Sequence, residues 1–446
     1  MSLDDHLENV AIIGAAGKMG SGIALLLAQE MTVLKLQPEN KSKNYELHLI
    51  DIDPIALQGL LRYLKTQAIK LAEKSIIQLR LQYEARKDLV ENSEFIQQFV
   101  DDLFVHLRVG TELGNARNAQ FIFEAASENE DLKVSLLKQL KNICASDTYF
   151  FTNTSSIPIS LLNEKAALGG RIIGYHFYNP PAVQKLVELI TPEGILPDLY
   201  QLSLELGKRL RKKLIPSNDV AGFIGNGHFM RDGLHALAEV ERLNKDFSPQ
   251  QAIYIMNRIS QDFLIRPMGI FQLVDYVGID VFQCILNTMD PYFPQEKLNS
   301  DLVNLMVSRK ILGGQNLDGS QRDGFLKYDK SKPIAVYDPE REKYVSLEEG
   351  NWRTEADRKI GNPPAGFSPW RVLLGDSQKE EKLETYFKNL KRDSTLGAQL
   401  ATDYLSKSKA IAEQLVSSGV ANSVEDVNGV LLNGFYHLYG PINNYV

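Results

Sequence analysis

The stretch that decides the fold is VAIIGAAGKMGSGIA, Val10 to Ala24, continued by LLLAQEM to Met31 and followed by LHLIDID, Leu47 to Asp53. VAIIG reads as a buried strand, GAAGKMGSG as a tight loop and IALLLAQEM as a helix, with LHLIDID as a second strand that ends in an acid. Together they form a βαβ unit that opens a doubly wound sheet. Gly14, Gly17 and Gly20 set a G-x-x-G-x-x-G rhythm around Lys18 and Met19 at the strand-to-helix turn. Glycine there lets backbone approach a pyrophosphate, and the helix N-terminus adds partial positive charge. Asp51 closes the second strand, where a carboxylate accepts hydrogen bonds from ribose hydroxyls and repels a 2′-phosphate, so the cofactor expected is NAD rather than NADP. The separation from Gly20 to Asp51 exceeds the usual spacing of about 20 residues. The polar run Gln37–Asn44 accounts for the excess as a loop.

Outward from this unit, FIFEAA and TYFFTN read as further strands separated by the helical SLLKQLKNICA, and RIIGYHFYNP as another that a proline stops. Strand and helix alternate to about Ile215. After Pro216 helical spacing takes over, so residues 1–216 are expected to form a Rossmann-type domain and 217–330 a helical one. The run 331–350, with the Gly-, Asp-, Lys- and Pro-rich residues before it, reads as a connector. Residues 351–446 read as a second, degenerate helical copy. Phe247–Gly278 and Asn422–Val446 share a Ser start, an apolar helix, aromatic residues and a Gly near a Pro, the mark of an internal repeat. Two such modules can pack as the subunits of a dimer would, and a monomer with a built-in pseudo-dimer is the expectation.

Composition narrows the function. The chain has 446 residues, 44% hydrophobic and 24% charged, which fits several ordinary globular domains. A net charge of −7 is the wrong sign for a general nucleic-acid binder. Cys144 and Cys284 lack the spacing of a metal or redox pair, and no metal site is expected. The acidic MSLDDHLENV start differs from a signal peptide, and the apolar core Ile23–Ala28 is short for a membrane span. A cytoplasmic protein without membrane attachment is the expectation.

Two polar clusters stand at strand ends, where open α/β sheets bind ligands. One is Asn153-Thr-Ser-Ser. The other is His176-Phe-Tyr-Asn-Pro, with Glu188 following. An imidazole and a carboxylate can pair as a general base and the group that fixes its ring, which is what oxidising an alcohol with a nicotinamide requires.

With these blocks in view the chain resembles the 3-hydroxyacyl-CoA dehydrogenase family. The likeness runs from about Val10 to Tyr328 through VAIIGAAGKMGSGIA, EAASENEDLKV, TNTSS, GYHFYNPPAVQKLVELI, AGFIGN and RPMGIFQLVDYVGID, in the family's order. The resemblance implies an NAD-binding domain followed by a helical domain, an acyl-CoA substrate, His176 as the catalytic base and Glu188 as its partner. It also implies that Ser155 and Asn226 hold the substrate oxygen. Glu128, Lys133 and Asn179 match cofactor-side positions. The C-terminal copy resembles that of the family's longer members. The chain departs from the family pattern at Ala221, where Pro is usual, at Gly227, where a basic residue is usual, and in the loop GGQNLDGSQRDGF, which lacks the usual lysine and has Arg322 as its nearest basic side chain. Lys65, Lys70 and Lys74 read as an exposed helix face rather than a CoA site. Two rival readings are a same-fold dehydrogenase of a free hydroxy or sugar acid and an NAD-binding protein with a silenced site.

Overall fold

The computed structural model describes residues 1–316 and 319–445 and divides the chain into two compact units, Met1–Val220 and Ala221–Val446. The first unit begins with a short helix α1 (Leu3–His6), then β1 (Asn9–Ile13), α2 (Lys18–Leu36) and β2 (Glu46–Ile50). A helical excursion follows, α3 (Pro54–Lys74), α4 (Ile76–Gln82) and α5 (Asn92–Val105), on which Lys65, Lys70 and Lys74 are exposed. Next come β3 (Leu107–Gly110), β4 (Phe121–Glu124), α6 (Glu130–Ile143), β5 (Tyr149–Thr152), α7 (Ile159–Ala166) and β6 (Ile172–Phe177). The unit closes with β7 (Leu186–Ile190), α8 (Pro197–Arg209) and β8 (Lys213–Ser217).

The eight strands form one sheet in the order β3-β2-β1-β4-β5-β6-β7-β8. Every pairing is parallel except β6 with β7. The reversal follows from the connection, since the short loop 178–185 cannot make the crossover a parallel pair needs. β4 and β6 are buried along their whole lengths, as strands covered on both faces must be. A column of rings, Phe123, Phe151, Tyr175 and Phe177, crosses β4, β5 and β6 with centroids 4.8–5.5 Å apart and fixes their relative placement. The helices begin where the sequence offers caps: Asp53 caps α3 ahead of Pro54, and Asn129 caps α6 ahead of Glu130 and Asp131. One helix among the described residues, Lys18–Leu36, is long and apolar enough to cross a bilayer. Here it packs on the sheet, with Ile23, Leu27 and Met31 buried.

The second unit is helical, starting with α9 (Gly225–Leu243), α10 (Pro249–Arg258), which runs into a π-helical turn at Ile259–Phe263, α11 (Ile270–Val277), α12 (Ile279–Met289) and α13 (Asp301–Ser308). The stretch expected to be a connector instead contains a three-stranded antiparallel sheet, β9 (Leu326–Asp329), β10 (Lys332–Asp338) and β11 (Lys343–Ser346). Ala335, Val336 and Tyr337 of β10 are buried, so the sheet joins the core instead of merely linking modules. Five helices complete the unit: α14 (Trp352–Ile360), α15 (Trp370–Leu373), α16 (Lys379–Arg392), α17 (Leu396–Ser417) and α18 (Val424–Gly434). One apolar core runs from Ala221 through Leu405 to Tyr439, and the expected divisions at 330 and 350 fall inside it.

The two helical stretches share a backbone lock. Asn257 Oδ1 accepts from Phe271 N and Gln272 N at 3.1 and 3.0 Å, and a Cβ on Gly269 would lie 2.2 Å from it. Asn428 Oδ1 accepts from Ile442 N at 3.0 Å, and a Cβ on Gly440 would lie 2.1 Å from Asn428 Cγ. Each Asn precedes its Gly by 12 residues. α9 packs against α17, where Tyr404 donates to Asp232 Oδ2 at 3.0 Å and Arg266 reaches both Asp232 Oδ2 (2.7 Å) and Ser408 (3.2 Å).

Candidate active site

The turn after β1 is tied to β2, because Gly14 N and Ala15 N donate to Ile50 O at 2.9 and 3.1 Å. Gly14 has φ +77°, and a Cβ there would sit 2.7 Å from Ala125 O. Gly17 is the N-cap of α2, so Lys18 and Met19 are its first two residues and Gly20 its third. A Cβ on Gly20 would lie 2.1 Å from Gly14 O, so only glycine lets helix and turn touch. Burial pushes the Lys18 ammonium below its usual value. Asp51 stands just beyond β2 and accepts from Ala16 N at 3.0 Å and Asp53 N at 3.3 Å, which fixes its carboxylate against the same turn. A side-chain-free cradle, a helix N-terminus and an oriented carboxylate are what the diphosphate and adenosine ribose of NAD require, and the residues fit that group.

A second cluster lies at the ends of β4 and β5. Lys133, on α6, is 1% exposed, and its Nζ donates to both Glu124 oxygens at 2.8 and 3.0 Å and to Ala126 O at 3.1 Å. Glu128 Oε2 stands 3.6 Å from the same ammonium. Glu124 also accepts from the Thr152 hydroxyl at 2.6 Å. Burial works against charge on Lys133, but Glu124 and Glu128 overcome it and hold the ammonium above its usual value. Burial likewise opposes charge on Glu128, and Lys133 with the Thr154 and Ser156 donors holds its carboxyl below the usual range. Glu128 Oε1 collects the Thr154 hydroxyl (2.8 Å), Ser155 N (2.8 Å), Ser156 N (2.9 Å) and the Ser155 and Ser156 hydroxyls (3.1 and 2.8 Å). The structure therefore joins Glu128, Lys133 and Ser155 in one network, with Lys133 enclosed in it. Asp219 braces the next turn by accepting from Ile159 N and Ser160 N at 2.5 and 2.6 Å.

The third cluster comes from the antiparallel pair. His176 on β6 and Glu188 on β7 are direct register partners, so their side chains share a face. His176 Nδ1 lies 3.5 Å from Glu188 Oε1, and Glu188 is fully buried. The Tyr178 hydroxyl donates to the same Oε1, and its ring lies 4.9 Å from the imidazole. Asn153 Oδ1, at the end of β5, accepts from Phe177 N at 2.8 Å and links the second cluster to the third. Asn179 follows Tyr178 and forms a cis peptide with Pro180. The loop behind it is pinned on two sides. Lys212 Nζ donates to Pro181 O and Gln184 O at 2.5 and 2.7 Å, and Pro181 packs where a Cβ on Gly22 would be, 2.6 Å from its Cδ. Burial brings the Lys212 ammonium down to about 8.

Asn226 belongs to the second unit, as the second residue of α9. Just ahead of it Gly222 takes φ +82°, with Met289 Sδ 2.5 Å from the Cβ position. In the same unit the buried Asp275 organises the divergent loop, accepting from Phe325 N (2.7 Å), Leu326 N (2.9 Å) and the Tyr328 hydroxyl (2.8 Å). Leu317 and Asp318 of GGQNLDGSQRDGF lie outside the described residues. Sequence reasoning missed Glu124, Tyr178, Lys212 and Asp275. Glu124 carried a signal as an acid ending an apolar strand, as Asp51 does after β2. Tyr178 carried another, as a phenol two residues beyond His176 in the same block.

The family model for the 3-hydroxyacyl-CoA dehydrogenase NAD binding domain matches residues 9–220, and that for the C-terminal domain matches residues 258–323. The chain belongs to the 3-hydroxyacyl-CoA dehydrogenase family. It is 28% identical over 330 residues to a probable 3-hydroxyacyl-CoA dehydrogenase of Caenorhabditis elegans, covering 73% of this chain and 97% of that one. It is 27% identical over 326 residues to the mitochondrial hydroxyacyl-coenzyme A dehydrogenase of Rattus norvegicus, covering 72% and 91%. Among solved structures, the 3-hydroxybutyryl-CoA dehydrogenase of Escherichia coli superposes with a TM-score of 0.62 at 19% identity, over 98% of this chain and 90% of that one, which speaks for the fold. The NAD-binding match of this family member spans β1 to β8 and ends where its first unit ends, at Val220.

Proposed function

We propose that this family member reversibly oxidises the 3-hydroxyl of an (S)-3-hydroxyacyl-CoA to the 3-oxoacyl-CoA with NAD. The observation that carries the reading is the His176–Glu188 register pair at the mouth of a sheet whose first turn is shaped for a dinucleotide. Bound NAD supplies the hydride acceptor. Glu188 faces Nδ1, which leaves Nε2 as the nitrogen that takes the hydroxyl proton as C3 loses hydride, and the buried carboxylate stabilises the imidazolium that results. Ser155 and Asn226 hold the reacting oxygen. The Ser155 hydroxyl has one proton: given to Glu128 it presents lone pairs to the alcohol, and turned outward it donates to the ketone. Gly14, Gly17, Lys18, Met19 and Gly20 cradle the diphosphate, Asp51 holds the ribose, and Glu128, Lys133 and Asn179 shape the cofactor side.

The test is NADH absorbance on mixing with acetoacetyl-CoA. Wild type oxidises NADH, while His176→Gln loses roughly 10²–10⁴-fold in turnover, the scale of general acid–base catalysis. Near-normal turnover by a folded His176→Gln would sink the assignment of the base. No turnover by a wild type that still binds NADH would move the substrate class to free hydroxy acids.

The Asn257 and Asn428 locks, each 12 residues before its glycine, support 351–446 as a second copy of the helical module. The α9–α17 contact supports a pseudo-dimer within one chain. A mass of 50.1 kDa by sedimentation is expected, and twice that at micromolar concentration would refute it. Cytoplasmic residence is proposed from cysteine usage, since Cys144 and Cys284 lie far apart in the chain without the spacing of a pair, and subcellular fractionation tests it.

A further inference from the structure

Glu188 meets an imidazole and a phenol through one oxygen. Its Oε1 faces His176 Nδ1 at 3.5 Å and also accepts the Tyr178 hydroxyl. Tyr178 is two residues beyond His176, just past the end of β6, and its hydroxyl bond to Glu188 and its ring 4.9 Å from the imidazole place it beside the pair. We propose that Tyr178 is a positioning residue that sets how strongly Glu188 holds the protonated form of His176. The inference rests on His176 as the base of the proposed reaction.

The argument is about shared electron density. A carboxylate oxygen that accepts a phenol proton is a weaker acceptor toward a second donor. With the phenol bond in place, Glu188 stabilises the imidazolium less than an unshared carboxylate would. The phenol also restrains the carboxylate, so Oε1 stays aimed at Nδ1 through a catalytic cycle in which the imidazole changes charge. Burial and Glu188 together push the Tyr178 hydroxyl well above its usual value, so it remains a donor throughout the working range.

The other ionisable groups around Glu188 are otherwise engaged. On β8 its register neighbour is the apolar Ile215, and Lys213 at the start of that strand is exposed. Lys212 is bound to the carbonyls of Pro181 and Gln184. On β6 the Tyr175 hydroxyl donates to Ser203 O at 3.3 Å. Beyond β5, Glu128 is tied to Lys133 and the 154–156 turn. Tyr178, bonded to the oxygen that faces the imidazole, is placed to adjust the His176–Glu188 pair.

The experiment compares pH profiles of kcat for hydroxyacyl-CoA oxidation in the full-length wild type and Tyr178→Phe, with thermal melting and NADH titration as controls for fold and cofactor site. Phe keeps the ring and removes only the donor. The expected result is an acidic limb displaced upward by roughly half to one pH unit, with KM for the acyl-CoA changed less than twofold. His176→Gln is run alongside. An inactive His176→Gln together with an unmoved limb in folded Tyr178→Phe would overturn the Tyr178 inference alone. An active His176→Gln would overturn the reading of the base beneath it. Should Tyr178→Phe fail to fold, Tyr178→3-fluorotyrosine, a stronger acid and a stronger donor, must move the limb downward, and an unmoved limb there overturns the proposal.

Discussion

Replacing Lys133 by Met tests whether the charged network beneath Ser155 holds the first unit together. The ammonium is 1% exposed and Glu124 is fully buried, so Met leaves a carboxylate in the interior with only the Thr152 hydroxyl and Ala126 N to offset it. Removing one partner of a buried pair costs about 3–5 kcal/mol, because the surviving charge has lost its counterion. In a unit of this size each kcal/mol moves the melting temperature by about 2–4 °C, so a fall of roughly 6–20 °C is expected. Urea unfolding of Lys133→Met, Glu124→Gln and the double variant gives the coupling directly. The double variant is expected to be more stable than the sum of the single costs implies, by roughly 0.5–3 kcal/mol. A Lys133→Met protein within about 1 kcal/mol of wild type, or single costs that simply add, would refute the reasoning and return Lys133 to a role at the cofactor alone.

Two further outcomes follow from the geometry. Gly20→Ala forces a Cβ to within 2.1 Å of Gly14 O, so the turn must open, and NADH binding measured by fluorescence titration is expected to weaken by roughly tenfold or more; an unchanged affinity would remove Gly20 from the cradle. Burial raises the Asp275 carboxyl to about 8, against the two backbone donors and the Tyr328 hydroxyl that favour its ionised form. The folded chain thus keeps a proton that the unfolded chain releases, and that contribution to stability is full below the ordinary carboxylate range and lost as pH rises through about 8. Between pH 6 and pH 9 wild type should lose more stability to urea than Asp275→Asn, and equal losses would contradict the placement.

How far such features could be read without coordinates depended on whether they are local. The nucleotide turn was legible because Gly14, Gly17, Gly20 and Asp51 act within one βαβ unit, where spacing along the chain is spacing in the fold. His176 and Glu188 were legible as a possible acid–base pair but not as neighbours, since the eleven residues between them do not specify that β6 and β7 pair antiparallel in the register that brings them together. The sheet at Leu326–Ser346 was concealed by its composition: Lys327, Lys332 and Lys343 are exposed, and across the stretch polar residues outnumber the apolar ones that define the strands. Glu124 sat inside a block already chosen for Glu128 and Lys133. Its importance comes from burial, which a sequence does not state.

The site sets two carboxylates to opposite tasks, and their surroundings show how. Glu128 spends one oxygen on the 154–156 turn and turns the other toward Lys133, so its charge is consumed in holding Ser155 still. Glu188 has a phenol rather than an ammonium beside it, and a phenol weakens a carboxylate's pull on a proton without cancelling its charge. An ammonium in the place of the Tyr178 hydroxyl would neutralise Glu188 and leave the imidazolium without a counter-charge at the moment it forms. A residue with no donor there would let the carboxylate hold that imidazolium more firmly, so that the proton leaves at a higher pH. On the proposed reaction the hydroxyl stands between these limits, where one His–Glu pair can both take a proton and return it.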